Sequence, residues 1–313
     1  MNELEFGRKV VVEVPCSTSN LGPGFDVFGL ALDVLKDRVE VELIEEPEIY
    51  IEMAGVEADS IPTVPEKNSA GKAALQFMER YPGVGYAIKV VKGIPPISGL
   101  GSSGATAAAA TFAIDHLLGT DLDAVGLVDI ARKSEIAAPH ADNVAPSICG
   151  GFVIIRSYNP LDILLFPPPE NMEFALVMPR SERTTREARG VLPSSVEMSD
   201  VIHNIGGAVT VLAGVLKSDP RLFGLGLSND RILEPNRGPL YPGYFDAKAA
   251  AMDAGACGAN ISGAGPTIIA VVDPRETAAS EVVKAMRDAY EKGGGMECKE
   301  YIARPASGAE IIG

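Results

Sequence analysis

The chain has 313 residues and a formal net charge of −15, so it is long enough for two domains and too acidic for nucleic acid or an anionic membrane as its main partner. Hydrophobic residues make up 46% and charged residues 22%, which is typical of a globular protein with a buried core. The four cysteines form no C-x-x-C pair, which argues against a zinc site or a disulfide framework and suits a reducing compartment. We therefore expect a soluble, cytoplasmic protein.

The first half of the chain predicts strands interrupted by helices. Alternating and β-branched residues predict strands at 9–14, 38–44, 48–53, 86–92, 151–156 and 162–166. Helical patterns cover 68–81, 106–118 and 123–137. The stretch GIPPISGLGSSGA, at 93–105, separates a strand from a helix.

A linker divides the chain near its middle. PPPE, at 167–170, is the strongest linker signal, because three prolines cannot continue a helix or a central strand. Beyond it the order of elements restarts, with strands at 174–179 and 297–303, paired strands within 257–271, and helices at 201–217 and 277–292. The irregular alternation predicts an α+β protein rather than a doubly wound sheet. We expect two domains, residues 1–168 and 169–313.

The stretch at 93–105 matches known phosphate-binding patterns incompletely. A Walker-type loop from Gly99 to Gly104 should be followed by Lys and Ser or Thr, and that lysine is missing. A dinucleotide-binding G-x-G-x-x-G should follow its strand directly, whereas Pro95 and Pro96 intervene here. The first interpretation is rejected and the second is disfavoured.

A third interpretation rests on the start of the helix at Ser102 and Ser103. The first turn of a helix carries unpaired N–H groups and the positive end of the helix dipole, so it can bind phosphate without a lysine. Serine hydroxyls can add hydrogen bonds or ligate Mg²⁺. A glycine–serine helix cap with no ligand is the alternative.

The same stretch resembles the phosphate loop of the GHMP kinases, whose pattern is P-x-x-x-G-L-G-S-S-A-A. Here the loop occupies 95–105, with Gly104 in place of the usual alanine. PCSTSNLGPGFDVFG (15–29) and ISGAGPTIIAV (261–271) resemble the N-terminal and C-terminal motifs of the family. The resemblance implies an N-terminal ATP-binding domain like domain 2 of ribosomal protein S5, and a C-terminal ferredoxin-like α/β sandwich.

Three further segments resemble the members of this family that phosphorylate the side-chain hydroxyl of L-homoserine. They are HADNVAPSICGGF (140–152), TTREARGVLP (184–193) and EPNRGPLYPGY (234–244). The resemblance implies ATP and Mg²⁺ as cofactors, a small-molecule acceptor and a homodimer. A kinase for shikimate, mevalonate or a sugar, and a non-catalytic binding protein, are the alternatives.

The resemblance also assigns roles to individual residues. ATP binding falls to Asn68, Pro95, Pro96, Ile97, Ser98, Gly99, Leu100, Gly101, Ser102 and Ser103; Mg²⁺ binding falls to Ser103 and Glu135. Homoserine binding falls to Asn20, Asp26, His140, Thr185, Arg189 and Arg237. This assignment fits the chemistry of a zwitterion, because a guanidinium fork suits a carboxylate and an acid suits an ammonium. Without the resemblance, the arginines would be interpreted as surface ion pairs.

Asn143 and Glu135 are the expected catalytic residues. Asn143 stands where many relatives carry an aspartate as base, and an asparagine can hydrogen-bond but cannot take up a proton at neutral pH. We therefore expect in-line phosphoryl transfer without a strong side-chain base. The spacing from Glu135 to His140 is shorter than in relatives. We expect the second glycine stretch, at 261–266, to pack against the phosphate loop and bind no second phosphate.

Overall fold

The structure, a computed structural model, describes residues 5–136 and 139–313. Its strands are β1 (Lys9–Ser19), β2 (Phe28–Ile44), β3 (Ile49–Gly55), β4 (Gly85–Lys92), β5 (Phe152–Tyr158), β6 (Leu161–Phe166), β7 (Glu173–Pro179), β8 (Gly258–Ile261), β9 (Ile268–Val272), β10 (Cys298–Ala303) and β11 (Glu310–Ile311). Its α-helices are α1 (Ser69–Arg80), α2 (Ser102–Leu118), α3 (Ala124–Ser134), α4 (Ala141–Cys149), α5 (Thr185–Gly190), α6 (Met198–Lys217), α7 (Pro220–Leu227), α8 (Glu234–Arg237), α9 (Tyr244–Asp253) and α10 (Ala279–Gly294).

The first sheet is mixed and has the order β11-β1-β2-β4-β3, with β5 beside β2 and β6 beside β5. β3 and β4 run parallel, and the other neighbours run antiparallel. β2 is long because its two ends have different partners: residues 28–30 pair with β5 and residues 38–44 pair with β4. A register shift between Pro15 and Cys16 lets β1 follow β2 along both ends.

The alanine-rich helix α2 packs against β1 and β2 and against the helices α1, α3 and α4. The four alanines at 107–110 are completely buried, because their small side chains let the helix approach its neighbours closely. This packing fixes the N-terminus of α2 beside the ends of β1 and β4, where the glycine loop lies.

The second sheet has the order β10-β7-β9-β8 and is antiparallel throughout. Numbered along the chain, its four strands lie in the order 4-1-3-2, with helices between the first and second strands and between the third and fourth. This is the ferredoxin-like arrangement, so the prediction for the C-terminal part is confirmed.

The predicted strands and helices are found in the structure, with some differences at their ends. α2 begins at Ser102, four residues before the predicted start, because the loop glycine Gly101 caps the helix. α3 ends at Ser134, and its predicted end at Ala137 lies outside the described residues. Sequence patterns did not predict α4, α7, α9 or the first half of β2.

The segment after β10 returns to the first sheet. β11 pairs with β1, with Ile311 opposite Val12, and an isolated bridge joins Pro305 to Leu32. The predicted domain 169–313 therefore includes a terminal segment that hydrogen-bonds with the other predicted domain.

Candidate active site

The glycine loop, residues 93–101, joins the end of β4 to the start of α2. Gly99 and Gly101 have φ angles of 77° and 70°, a conformation that favours glycine, and Gly101 is the N-cap of α2. No side chain caps this helix. The backbone N–H groups of its first turn therefore face the loop without a side-chain acceptor and can bind an anion.

A buried ion pair lies directly behind this loop. Lys92, at the end of β4, donates to the Asp37 carboxylate, to Thr106 Oγ1 at 2.9 Å and to the carbonyl of Ser102 at 3.0 Å. The backbone N–H groups of the two residues that follow Lys92 donate to Asp37 Oδ1 at 3.0 Å each. We call Asp37, Lys92 and Thr106 the loop clamp, because they tie both ends of the glycine loop to β2. The clamp was not predicted.

The second glycine stretch packs against the loop, as predicted. Ser262 Oγ donates to the carbonyl of Gly99 at 2.7 Å, and Thr267 Oγ1 donates to the carbonyl of Ser98 at 2.7 Å. A Cβ on Gly99 would lie 2.6 Å from the carbonyl oxygen of Ser262, which leaves no room for a side chain. On the other side, Gly263 N donates to the carbonyl of Ser19 at 3.1 Å and so connects the loop region to β1.

Ser103 and Glu135 are in contact. Ser103 Oγ donates to Glu135 Oε1 at 2.7 Å, and Lys72 Nζ donates to the Glu135 carbonyl oxygen at 3.2 Å. Burial raises the pKa of Glu135 to about 8, against the lowering effect of the Ser103 hydrogen bond. Among the described residues, no three Asp, Glu, His or Cys side chains cluster as a metal site. One carboxylate and one hydroxyl at a phosphate loop are nevertheless a donor set that suits Mg²⁺ shared with phosphate oxygens.

Asn143, near the start of α4, lies next to the glycine loop. Its Oδ1 accepts a hydrogen bond from Ser17 Oγ at 3.0 Å, and its Nδ2 donates to Ser19 Oγ at 3.0 Å. A Cβ on Gly101 would lie 2.9 Å from Asn143 Oδ1. The two serines of β1 therefore fix the orientation of the amide beside the N-terminus of α2.

The turn between β1 and β2 presents Asp26 to the same region. Asn20 and Asp26 have left-handed φ angles of 68° and 56°, and Asn20 Oδ1 accepts from Asp26 N at 3.1 Å. Asn20 Nδ2 donates to the carbonyl of Gly263 at 2.8 Å, and Tyr158 Oη donates to the carbonyl of Asp26 at 2.8 Å. This strained turn is thus held by Tyr158 at the end of β5 in the first sheet and by Gly263 between β8 and β9 in the second sheet.

Both predicted arginines converge on this turn. Arg189 donates from two nitrogens to the Asp26 carboxylate, at 2.7 and 3.1 Å, and its guanidinium carbon lies 4.8 Å from the centroid of the Phe25 ring. The Arg237 guanidinium carbon lies 5.2 Å from the same ring, and Nη1 donates to the carbonyl of Gly263 at 3.2 Å. Burial, and secondarily the charge of Arg189, lower the pKa of Arg237. Two like charges held this close favour binding of an anion.

The remaining predicted residues differ in how close they lie to Asp26 and the two arginines. His140 is the N-cap residue of α4, with Nδ1 3.6 Å from Asp26 Oδ1. Thr185 is the first residue of α5, four positions before Arg189. Asn68 is completely buried, and its Oδ1 caps α1 by accepting from Ala70 N at 2.9 Å. The structure thus gives Asn68 a helix-capping contact, and its predicted place near the nucleotide stays a prediction.

Three buried polar atoms of this region have no hydrogen-bond partner in the described part of the chain: His140 Nδ1, Asp142 Oδ1 and Arg189 Nε. Buried polar groups are normally paired, because an unpaired group loses its hydration without compensation. Burial, and secondarily the charge of Asp26, raise the pKa of Asp142 to about 7. Three such atoms around one carboxylate–guanidinium pair indicate a binding site for a polar ligand. We call Asp26, His140, Asp142, Arg189 and Arg237 the acceptor cluster.

An apolar cavity of about 340 Å³ lies beside the acceptor cluster. It is lined by Pro23, Gly24, Phe25, Val27, Phe28, Val201, Asn204, Ile205, Ala208, Ile232 and Leu233. Phe25 also lies under the guanidinium groups of both arginines, and none of the lining residues named here is charged. The cavity is therefore unsuited to a zwitterion, and the acceptor cluster is the better candidate site.

Comparison with known proteins agrees with this geometry. Residues 68–151 match the GHMP kinases N terminal domain and residues 211–292 match the GHMP kinases C terminal domain. Homoserine kinase of Methanococcus vannielii is 36% identical over 97% of this chain and 98% of its own, and that of Halorubrum lacusprofundi is 39% identical over 97% and 99%. The crystal structure of homoserine kinase from Cytophaga hutchinsonii superposes with a TM-score of 0.90 at 33% identity and covers 100% of both chains.

These matches confirm the predicted two-domain GHMP kinase fold. Together with nearly full-length identity above 30%, they establish that the chain belongs to the homoserine kinase family of the GHMP kinases.

Proposed function

We propose that this protein transfers the γ-phosphoryl group of ATP to the side-chain hydroxyl of L-homoserine, giving O-phospho-L-homoserine for threonine synthesis. The observation that carries the proposal is the convergence of Arg189 from α5 and Arg237 from α8 onto the ring of Phe25, next to Asp26, whose carboxylate Arg189 binds. Asn143, next to Asp142 of this cluster, also lies against the glycine loop. A site for a zwitterion therefore adjoins a site for phosphate.

The nucleotide end of the site is the glycine loop and the first turn of α2. Its backbone N–H groups and the hydroxyls of Ser102 and Ser103 would hold the phosphates, with Pro95 and Pro96 shaping the entry to the loop. Ile97 is 45% exposed, with a left-handed φ of 56°, which leaves its side chain free to contact the nucleotide. The loop clamp keeps this arrangement in place before ATP arrives.

Ser103 and Glu135 fit a Mg²⁺ ion that arrives with ATP. Glu135 is 9% exposed; its carboxylate accepts a hydrogen bond from Ser103, whereas Lys72 donates to its main-chain carbonyl oxygen and not to the carboxylate. Burial raises the pKa of Glu135 to about 8, and a cation beside it would favour the ionised form of this carboxyl group. When bound, Mg²⁺ neutralises charge on the β- and γ-phosphates.

The acceptor end selects an amino acid. The α-carboxylate of homoserine would bind the guanidinium groups of Arg189 and Arg237, and the α-ammonium would bind an acid of the acceptor cluster. Asn20, His140 and Thr185 would complete the surroundings of the substrate. Shikimate, mevalonate and galactose lack the ammonium, so they would leave the acidic side of the cluster without a partner.

The transfer step uses positioning and charge stabilisation. The amide of Asn143, held between Ser17 and Ser19, can hydrogen-bond the acceptor hydroxyl but cannot remove its proton. The hydroxyl oxygen would attack the γ-phosphorus in line, the bond to the β-phosphate oxygen would break, and the proton would leave to a phosphate oxygen or water. Ser17 and Ser19 thus fix the orientation of the amide. The amide would position the acceptor hydroxyl, and no strong side-chain base would be needed.

The test is steady-state ADP formation with Mg-ATP and one acceptor at a time: L-homoserine, shikimate, mevalonate or galactose. We expect turnover with homoserine alone. Arg189→Ala should raise the KM for homoserine strongly, while Arg183→Ala, at an exposed position of the same segment, should leave it unchanged. Turnover with another acceptor would replace the proposed substrate, and ATP binding without any turnover would favour a non-catalytic binding protein.

We also propose that two copies of the chain associate through α6. This helix carries a stripe of large apolar side chains that are between 59% and 70% exposed: Met198, Ile202, Ile205, Val209 and Leu216. The first four are spaced four, three and four residues apart, which is the spacing of helix pairs that pack along a common seam. A second α6 related by a two-fold axis would present the same stripe in return.

α6 is also long and apolar enough to cross a membrane by length and composition, with 28% of its most apolar window buried. Sedimentation analysis distinguishes a helix that pairs two copies in solution from a helix that enters a membrane. The double variant I202E/V209E should be monomeric and remain in solution, whereas Lys284→Glu, at an exposed position on α10, should not change the mass. An unchanged mass for the double variant would refute the α6 interface. We propose a cytoplasmic location, which the use of ATP and the four free cysteines support.

We also propose that the division between the two domains lies between residues 168 and 169, in the stretch between β6 and β7. The terminal segment 304–313 would then be a return of the chain to the first domain. Limited proteolysis should cut first within 167–172, and the two fragments should stay associated through this segment.

A further inference from the structure

One turn of α6 packs closely against two segments that carry residues of the acceptor cluster. A Cβ on Gly207 would lie 2.8 Å from the carbonyl oxygen of Asn229 and 2.9 Å from Pro23 Cγ, so the backbone of α6 touches both. Pro23 belongs to the turn between β1 and β2 that carries Asp26, and Asn229 begins the stretch that leads into α8. The helix therefore lies where it can set the spacing between these two segments.

Asn204 makes the polar part of this contact. It lies three positions before Gly207 and so on the same face of α6. Its Nδ2 donates to Asp230 Oδ1 at 3.0 Å, and its Oδ1 accepts from Arg231 N at 2.9 Å. Asn204 and Asp230 are each 7% exposed, so water is poorly placed to replace either hydrogen bond. Both ends of one amide thus hold the backbone at 230–231 against α6.

Asp230 passes this connection on to α8. Its Oδ1 also accepts from Ile232 N and Leu233 N, each at 2.9 Å. Its Oδ2 accepts at 3.0 Å from the N–H group of Glu234, the first residue of α8. A helix of four residues cannot form on its own, because nucleation costs more than so few hydrogen bonds return. The position of α8 therefore depends on the groups that hold its ends, and Asp230 holds its start.

The apolar cavity explains why these hydrogen bonds matter. It lies between α6, the turn that carries Phe25, and residues 232–233 at the entry to α8. Protein atoms do not touch across a cavity, so its walls are not held at a fixed distance by side-chain packing. The hydrogen bonds of Asn204, at the edge of the cavity, fix the distance instead. Arg237, the last residue of α8, takes its position from this arrangement.

We propose that Asn204 is a positioning residue for the reaction: it holds the Asp230 turn against α6 and thereby places Arg237 for the carboxylate of the acceptor. The inference rests on the proposed function and extends it to a residue that acts through Arg237 and not on the substrate. Loss of Asn204 should therefore weaken acceptor binding. ATP binding should be unaffected, since the glycine loop is held by the loop clamp and the second glycine stretch.

The experiment is a double-mutant cycle in steady-state kinetics, with Asn204→Ala, Arg237→Ala and the double variant N204A/R237A. For Asn204→Ala we expect the KM for homoserine to rise roughly tenfold. The KM for ATP should change by less than about twofold. In the Arg237→Ala background the same substitution should change the KM for homoserine by less than about twofold, because no guanidinium is left to position.

Thr210→Ala is the matched control on the same helix. Thr210 Oγ1 donates to the carbonyl of Gly206 at 2.8 Å, so this variant loses a hydrogen bond within α6 and keeps both bonds of Asn204. Its KM values should equal those of the wild type. Wild-type KM values in Asn204→Ala, equal rises in the KM for homoserine and for ATP, or additive losses in N204A/R237A would each overturn the proposal.

Melting temperatures show whether each variant folds. If Asn204→Ala does not fold, Asn204→Asp takes its place in the cycle. Aspartate keeps the acceptor for Arg231 N but turns a second carboxylate oxygen towards Asp230 in place of the donor. The connection to Asp230 is then lost at nearly constant side-chain shape, and the same changes in KM are expected.

Amide hydrogen exchange without substrate tests the connection independently of the acceptor. Exchange within residues 231–237 should be roughly tenfold faster in Asn204→Ala than in the wild type, while exchange within α2 stays the same. Unchanged exchange within 231–237 would refute the connection. Faster exchange in the variant, combined with no homoserine turnover in the wild type, would uphold the connection between Asn204 and α8 and refute the proposed function.

Discussion

Replacing Lys92 by methionine should affect stability and ATP binding through two separable effects. The side chains of Lys92 and Asp37 are 1% and 0% exposed, so methionine would leave the Asp37 carboxylate buried without its cation. Removing one partner of a buried ion pair costs about 3–5 kcal/mol. At roughly 2–4 °C per kcal/mol for a unit of this size, the melting temperature should fall by roughly 6–20 °C.

The double variant D37N/K92M separates the two effects. It has no unpaired charge, so we expect most of the lost stability to return. The asparagine that replaces Asp37 can still accept from the backbone N–H groups after residue 92, but nothing replaces the hydrogen bond from Lys92 to the carbonyl of Ser102. The direct connection from the end of β4 to the first turn of α2 is therefore lost, while Ser102 Oγ still donates to the carbonyl of Ile94 at 2.8 Å, and the KM for ATP should stay raised by about tenfold.

The assay is thermal unfolding followed by circular dichroism, together with ADP formation at saturating homoserine and varied ATP. A melting temperature of K92M within about 2 °C of the wild-type value would refute the cost of about 3–5 kcal/mol assigned to breaking the buried ion pair. If the KM for ATP in D37N/K92M returned to the wild-type value, the loop clamp would support only the fold and not ATP binding.

Four further outcomes are expected. Gly99→Ala places a Cβ 2.6 Å from a backbone oxygen at a left-handed φ of 77°, so the melting temperature and the affinity for ATP should both fall; full ATP affinity in that variant would contradict the close packing of the two glycine stretches. Asn143→Asp should not raise kcat, measured with homoserine, because the transfer needs no strong base; a large increase would contradict this. Arg237→Lys should raise the KM for homoserine by roughly tenfold or more, since lysine cannot reproduce the guanidinium fork, while Arg180→Lys at an exposed position should not. Asp142 has its pKa raised from 3.8 to about 7 by burial, so the folded state binds its proton more tightly than the unfolded state, and this contribution to stability is lost as pH rises towards 7. The stabilisation of Asp142→Asn relative to wild type, measured by thermal unfolding, should therefore be larger at pH 8 than at pH 5, and an equal difference at both pH values would contradict this account.

Local patterns predicted the parts of the fold that carry strong periodicity. β7 was predicted to within one residue and β1 over residues 9–14 of 9–19, where valines dominate, and the glycine loop was predicted because its glycines and serines lie close together. α4 was missed because Pro146 lies inside the helix and interrupts the helical pattern. The first half of β2 was missed because it extends through residues whose partners lie in β1 and β5.

The motifs predicted the glycine loop and the residues Asp26, His140, Arg189 and Arg237, but not the contacts that hold them in place. Asp37 and Lys92 lie 55 positions apart, and each alone resembles an ordinary charged strand residue. Only the fold shows that both are buried and that they meet behind the loop. The pairing of Asp26 with Arg189, 163 positions away, is likewise a product of the tertiary structure, as is the unpaired oxygen of Asp142.

The return of the chain to the first sheet has a consequence for biosynthesis. β1 is among the first elements to leave the ribosome, but the outer edge of its first half pairs, in the described part of the chain, with residues 310–313, through Ile312 N and the carbonyl of Val11 at 2.8 Å and through Val11 N and the carbonyl of Gly313 at 2.6 Å. Until that segment is synthesised, the first half of β1 exposes unpaired backbone groups that can recruit another nascent chain. The nucleotide-binding half therefore cannot complete its sheet during translation, and its maturation waits for the second half to be made.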